Sequence, residues 1–188
     1  SFNDGYRYML TCICVFSKVA HAVPVKSKNS GEVANAFESI LSDGNIPVFL
    51  QTDKGTEFTG ANFQSMLARY GIRWYTSEND DLKASVCERF NLTIKNKMHK
   101  MLTYRNTYRW IDDLQKLDTY NNTYHRSIGM APNQVNEKTS AVVAARLFPE
   151  KPKKFTYKFN IGDHVRISMT RMPFSKGYLG HWSEEIFK

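Results

Sequence analysis

Pro47-Val48-Phe49-Leu50-Gln51-Thr52-Asp53-Lys54-Gly55-Thr56-Glu57-Phe58 decides how the rest of the chain reads. An apolar run ends on an aspartate and a Lys-Gly pair, which predicts a buried strand over Pro47–Thr52 with a charged turn at its carboxyl end. Sites in open α/β sheets gather at the carboxyl ends of strands, so Asp53 is a candidate site residue. An Asp-Lys-Gly tripeptide is equally an ordinary turn. Upstream, Ser30 is placed to cap a helix carrying Val33, Phe37, Ile40 and Leu41 on one face, with Gly44 as its stop. Before that helix, Tyr6–Phe16 and Val19–Val25 are rich in aromatic and β-branched residues and read as two antiparallel strands joined by a tight turn.

Downstream, Phe63, Met66, Leu67 and Tyr70 mark a short helix ending at Gly71, and Ile72–Thr76 reads as a further strand. Ser77–Lys83 is a polar loop. Ala84 to about Tyr104 has no Gly or Pro and reads as a long helix, with a second helix over Tyr108–Tyr124 and a small one over Thr139–Phe148. The expected organisation is an α/β core over 1–148, a linker over 149–158 marked by Pro149-Glu150-Lys151-Pro152-Lys153-Lys154, and an incomplete second unit over 159–188. No internal repeat is visible. The chain opens on Ser1 and stops in mid-pattern at Lys188, and so reads as a piece of something longer.

The 188 residues are 41% hydrophobic and include 12 Phe, 10 Tyr and 3 Trp, which excludes a disordered or low-complexity chain. Lys and Arg outnumber Asp and Glu by 26 to 18, a net charge of +8 that favours polyanionic partners, nucleic acid first. The 3 cysteines, Cys12, Cys14 and Cys87, form no C-x-x-C pair, so neither a disulfide scaffold nor a zinc ribbon is expected and a reducing compartment is the default. The longest apolar run, Met9–Phe16, is too short to span a bilayer. Two glycosylation sequons, at Asn91 and Asn121, lack a secretory signal and read as chance matches.

Turned at the helical angle, the long helix puts Glu88, Asn91, Lys95 and His99 on one stripe and Phe90, Ile94, Met98 and Met101 on the opposite side. No acidic residue falls between Glu88 and Asp112, whereas Arg89, Lys95, Lys97, Lys100, Arg105 and Arg109 do. That run suits a phosphate-binding edge and equally a solvated helix flank. Asp53 at a strand end and Glu88 on a helix can converge as oxygen ligands for a divalent metal, a pair that needs a third carboxylate. His21 reads as packed within its strand, and His125 as ordering the loop after its helix. Tyr104, Tyr108, Trp110, Tyr120 and Tyr124 lie at helical spacing and read as core more than as base-stacking residues.

These residues resemble a known family. Tyr8-Met9-Leu10-Thr11, Val15-Phe16-Ser17-Lys18, Gln51 through Phe58, Lys83 through Asn91, Tyr120-Asn121 and His125-Arg126-Ser127 look like the catalytic core of retroviral-type integrases. The detail is most similar to integrases of Maverick or Polinton DNA transposons and of long-terminal-repeat retrotransposons. Beyond the linker, Ile161 through Ile167, Lys176-Gly177-Tyr178 and Trp182-Ser183-Glu184-Glu185 resemble the start of the small β-barrel tail of those enzymes.

The resemblance implies an RNase H-like fold, a central mixed sheet flanked by helices, followed by an incomplete SH3-like barrel. It implies two Mg²⁺ or Mn²⁺ ions held by two aspartates and a glutamate, and one site for both DNA end cleavage and strand transfer. By position, Asp53 is the second aspartate and Glu88 the glutamate. Asn91 and Lys95 fall where the family contacts DNA, and Arg89, Lys97 and Lys54 join them as DNA-binding candidates. The expected partners are transposon ends and target duplex, and further copies of the same chain, with no membrane and no small-molecule substrate; the expected location is the nucleus.

Two departures accompany the resemblance. The family's first aspartate sits on a strand preceding the Asn3-Asp4-Gly5 turn; that strand is not in this chain, and Asp4 belongs to the turn itself. Cys14 stands where many relatives carry an aspartate. With two of three expected ligands, the fragment alone is expected to be weakly active or inactive. A domesticated, non-enzymatic DNA-binding or scaffolding protein is the alternative, and an RNase H-type nuclease ranks below both.

Overall fold

The computed structural model describes residues 2–42, 44–76, 85–149, 157–168 and 182–188, with the side chains of 85 and 115–118 outside the description. The polar loop expected at Ser77–Lys83 lies outside the described residues, as does most of the Pro-Lys linker. The chain divides into two units, Ser1–Pro149 and Glu150–Lys188.

In the first unit, β1 (Tyr8–Ile13) and β2 (Ala20–Val25) pair antiparallel, in a register running from Tyr8 opposite Val25 to Ile13 opposite Ala20. The loop between them closes through Cys14 N–H to Val19 O and Lys18 N–H to Cys14 O, with Lys18 in the left-handed region at φ 63°. Helix α1 (Ser30–Leu41) follows, then β3 (Phe49–Thr52), α2 (Thr56–Thr59), α3 (Ala61–Arg69) and β4 (Arg73–Thr76). β3 and β4 pair in parallel, with Leu50 opposite Trp74, as the α2–α3 crossover requires. Long helix α4 (Ser85–Arg105) comes next. It is followed by a 3₁₀ turn over Ile111–Lys116, α5 (Leu117–Asn121) and α6 (Glu137–Leu147).

Side-chain alternation along the strands assigns the two faces of the layer. Leu10, Cys12 and Val23 from the hairpin and Leu50 and Trp74 from the parallel pair all pack on Val33, Phe37, Phe63, Met66 and Leu67 of α1 and α3. Met9 and Ile13 point the other way, onto Phe90, Ile94 and Met98 of α4, beside Ala20 of β2. Helices therefore cover both faces of a layer made of an antiparallel and a parallel strand pair. Among the described residues no ladder joins the two pairs.

Three readings are corrected. The cap of α1 is Asn29, whose Oδ1 accepts from Gly31 N–H at 2.9 Å. Ser30 instead serves α3: its Oγ accepts from Phe63 N–H at 3.1 Å. It does so because α3 is preceded by Gly60, which has no side chain to cap with and whose Cβ would lie 2.5 Å from Ser30. Tyr108–Tyr124 is not one helix. Asn106 turns into the left-handed region at φ 48°, and Asn3 then holds the chain extended by donating to Tyr108 O and accepting from Trp110 N–H. With helical spacing lost, Tyr108 and Tyr124 are exposed, as is Tyr104 near the end of α4; only Trp110 and Tyr120 of the five aromatics are half-buried. The small C-terminal helix begins earlier than expected because Asn136 caps it, accepting from Lys138 and Thr139 N–H.

Asn121 closes the outer edge of β2. Its Oδ1 accepts from Ala20 N–H and its Nδ2 donates to Ala20 O, each at 2.9 Å, so a side-chain amide replaces a neighbouring strand at that position. Pro24 removes a further donor from the same edge. The Glu150–Lys188 unit, taken by itself, carries antiparallel bridges Val165 to Phe187 and Ser168 to Trp182.

Asn121→Ala leaves both backbone groups of fully buried Ala20 unpaired and is expected to cost about 2–4 kcal/mol in urea unfolding. Asn121→Asp keeps the acceptor but sets a carboxylate oxygen against Ala20 O, and is expected to recover little of the loss. Wild-type stability in either variant refutes this edge assignment.

Candidate metal and nucleic-acid site

Asp53 follows β3 directly, and its Oδ1 accepts from Gly55 N–H at 3.2 Å, so its own turn orients the carboxylate. Leu50 faces the α1–α3 layer, and Thr52 on the same side accepts from Trp74 Nε1–H at 2.9 Å. Continuing that alternation turns Asp53 toward the opposite face, the one α4 covers over β1. Glu88 lies in the first turn of α4 and is exposed, as is Asp53.

Next to Glu88, Cys87 joins α4 to β1. Its half-buried thiol lies 4.0 Å from Thr11 Oγ1 on β1 and 3.9 Å from Asn91 Nδ2 one turn along α4. Burial pushes its pKa up, and the charges of Glu88 and Asp53 add to that, against the lowering effect of the Thr11 contact. Cys12, on the other face of β1, is raised to about 11, by burial first and then by Cys87 and Cys14. All three thiols are free.

The other candidate residues separate into two groups. Arg89, Lys95 and Lys97 on α4 and Lys54 after β3 are exposed, and none makes an ion pair among the described residues. Asn91 is half-buried and turned to Cys87, and its buried Oδ1 has no hydrogen-bond partner. Asp4 is held elsewhere: both of its oxygens accept from Arg109, at 3.1 and 2.9 Å, and this partner keeps its carboxyl below the usual range. His125 orders its loop through the backbone, pairing with Met130 and accepting from Ile128 and Gly129 N–H. Sequence reasoning missed the Thr11–Cys87–Asn91 cluster, although Thr11, polar between apolar Leu10 and Cys12, marks the face where it forms.

Two hard carboxylates at the end of a strand and the start of a helix suit Mg²⁺ in donor type. In number they fall short: among the described residues no group of three or more His, Cys, Asp or Glu side chains converges on a metal position. No helix among them is long and apolar enough to cross a membrane.

This layered α/β fold is that of the integrase core, and residues 1–81 match the integrase core domain family. The chain is a homologue of retroviral-type integrase cores and of a transposon-derived protein. That protein, from Caenorhabditis elegans, is 31% identical over 187 residues, covering 98% of this chain and 63% of its own length. The Gag-Pol polyprotein of feline leukemia virus is 31% identical over 110 residues, covering 57% of this chain and 6% of the polyprotein. The chain therefore spans less than two thirds of these relatives. The HTLV-2 integrase catalytic core domain, solved in complex with magnesium in a trimeric form, has a TM-score of 0.59 and 25% identity, covering 68% of this chain and 82% of that one. The simian T-cell lymphotropic virus intasome, solved with the PP2A regulatory subunit B56 gamma, shares the fold at a TM-score of 0.64 and 16% identity, covering 95% of this chain and 60% of that one.

Thiol reactivity tests the electrostatics around Cys87. At pH 8 an alkylating reagent followed by peptide mass spectrometry should modify exposed Cys14 first, while Cys12, with roughly one thiol in a thousand ionised, reacts last. Asp53→Asn combined with Glu88→Gln removes two charges that add to burial in raising the Cys87 pKa, and should speed its modification. An unchanged rate would leave burial as the sole source of its protection.

Proposed function

We propose that this protein is the catalytic-core region of a transposon-derived DNA integrase whose parent cuts and joins DNA in the nucleus as a homo-oligomer. What supports this reading is the match of residues 1–81 to the integrase core domain family and the 31% identity over 187 residues to the transposon-derived protein, with Asp53 directly after β3, Glu88 in the first turn of α4, and Arg89, Lys95 and Lys97 of α4 exposed and outside any ion pair among the described residues. The element of origin is of the Maverick or long-terminal-repeat kind. Asp53 and Glu88 are two of three metal-binding carboxylates, and the third belongs to a strand upstream of Ser1 that lies between β1 and β3. Both strand pairs pack on α1 and α3 without pairing to each other, which is the arrangement one intervening strand completes. The unit after Pro149 is the start of an SH3-like barrel.

Mg²⁺ or Mn²⁺ held there would supply Lewis acidity at the scissile phosphate. The chain's own residues do the positioning. Gly55 N–H orients the Asp53 carboxylate, and the sheet–helix contact at Thr11 and Cys87 holds the first turn of α4, which carries Glu88. Arg89, Lys95, Lys97 and Lys54 hold the phosphates of the strand being cut, and Asn91 lines the same approach one turn beyond Glu88. End cleavage delivers a water, and joining a 3′-hydroxyl, to the same phosphorus position.

The test is Mg²⁺- or Mn²⁺-dependent strand transfer by a chain extended upstream through the first strand. Asp53→Asn and Glu88→Gln should each remove activity by more than the ~10–100-fold typical of an outer-shell metal partner. Lys95→Ala with Lys97→Ala should lower the slope of log affinity for duplex DNA against log salt by ~1.8, the loss of two phosphate contacts. An extended, aspartate-bearing chain that binds DNA but joins none in either metal overturns the enzymatic reading in favour of a domesticated DNA-binding protein. An unchanged slope removes α4 from the interface.

A further inference from the structure

A cluster of cations, of which Lys97 alone is shared with the α4 edge, lies about the loop His125–Met130. Lys18 is the unusual member. Only 7% of it is exposed, it sits in a left-handed turn at φ 63°, and its ammonium donates to Val15 O at 2.6 Å with no carboxylate partner among the described residues. An ammonium buried without a counter-charge is costly, as is a side chain other than glycine in that backbone region. Burial lowers the His125 imidazole pKa, and the Lys18 charge adds to it. His125 Nδ1 is itself buried without a hydrogen-bond partner among the described residues.

Around this pair the cations continue. The His125 ring stands edge-on to Tyr120 at 6.3 Å, and Lys97 Nζ lies 5.9 Å from the Tyr120 ring centre. Arg126 is exposed, and its carbonyl accepts from Arg146 Nη2 at 3.1 Å. None of Lys18, Lys97, Arg126 and Arg146 forms an ion pair among the described residues, whereas Arg69, Arg105 and Arg109 are each bound to a carboxylate. Lys97 joins this cluster to the basic edge of α4, roughly 14 Å along the helix axis from Glu88 at ~1.5 Å per residue.

We propose that the His125–Met130 loop is a second phosphate-binding surface, distinct from the carboxylate site, on which Arg126 and Lys97 contact the backbone of duplex DNA while buried Lys18 supplies a fixed positive field. Nucleic acid is the occupant the observations favour over an acidic peptide, because Lys97 on the α4 edge reaches Tyr120, which packs on His125, and the chain carries a net charge of +8. The inference rests on the DNA-handling reading and extends it to a surface away from the chemistry.

Binding of a labelled 30-base-pair duplex, followed by fluorescence anisotropy across salt, tests it. Arg126→Ala, on the surface, should weaken binding severalfold at low salt and lower the salt slope by ~0.9. Lys18→Met should also weaken binding, while holding or raising the melting temperature, since it removes a buried unpaired charge and keeps the stem; a lysine kept only for structure would give the reverse pair of results. Should Lys18→Met fail to fold, Arg126→Ala decides alone. Wild-type affinity and slope in Arg126→Ala, with binding weakened in Lys95→Ala, overturn this surface and leave the integrase reading standing. Arg126-dependent binding in an extended chain that joins no DNA does the opposite. Polyglutamate that binds in an Arg126-dependent way, with duplex binding unchanged in Arg126→Ala, reassigns the surface to an acidic protein and overturns the proposal.

Discussion

One apolar layer, built by α1 and α3, holds both strand pairs. Phe37, Phe63, Met66 and Leu67 receive Leu10 and Val23 from the hairpin on one side and Leu50 and Trp74 from the parallel pair on the other. The two pairs share no ladder among the described residues, so their relative position there comes from side-chain packing alone. That position matters because α4 rests on β1 while Asp53 hangs from β3. A shift of either pair along the helical layer would change where α4, with Glu88, sits relative to the end of β3. Interiors packed to crystal density resist such sliding, which is how a hydrophobic contact on one face of the layer governs an electrostatic arrangement on the other.

What was legible in the sequence follows from how local each signal is. The strands, α1, α3 and α4 were visible because their periodicity coincides with their burial: Phe90 and Ile94 recur on the buried face of α4, and Leu10 and Cys12 on one face of β1. Ser30 was misread because its hydroxyl chooses between two helix ends, and the choice depends on Gly60, distant in sequence and pressed against it. The segment after Asn106 was misread for a similar reason. Its aromatic residues recur at helical intervals, but Asn3, at the other end of the chain, holds Tyr108 and Trp110 extended. Asp53 and Glu88 were legible as types at suggestive places. The contact between Thr11 and Cys87 was not, since nothing local links the two.

The charges divide by partner. Three arginines are matched: Arg69 of α3 to Glu38, Arg105 at the end of α4 to Asp113, and Arg109 to both Asp4 and Asp112. The Arg69 and Arg109 pairs are surface contacts that add little stability singly, whereas Arg105 reaches a buried carboxylate. Among the described residues Arg89, Lys95 and Lys97 of α4 and Arg126 of the His125 loop form no ion pair. Their charge is left to raise the local concentration of a polyanion instead of cancelling internally.

Lys18 shows why such a concentration survives. A methionine there would keep the packing and shed the buried charge, a change favourable for folding, and a glycine would relax the backbone at the expense of the buried stem. A residue that opposes stability in two independent ways, beside an imidazole nitrogen with no partner, is the pattern expected where a fold yields stability to a binding surface. The same loop is tied to the β2 edge through α5, because Asn121, which closes that edge at Ala20, immediately precedes the turn leading to His125. The edge strand and the basic loop are thus joined through a single buried amide, and a change at Asn121 reaches both.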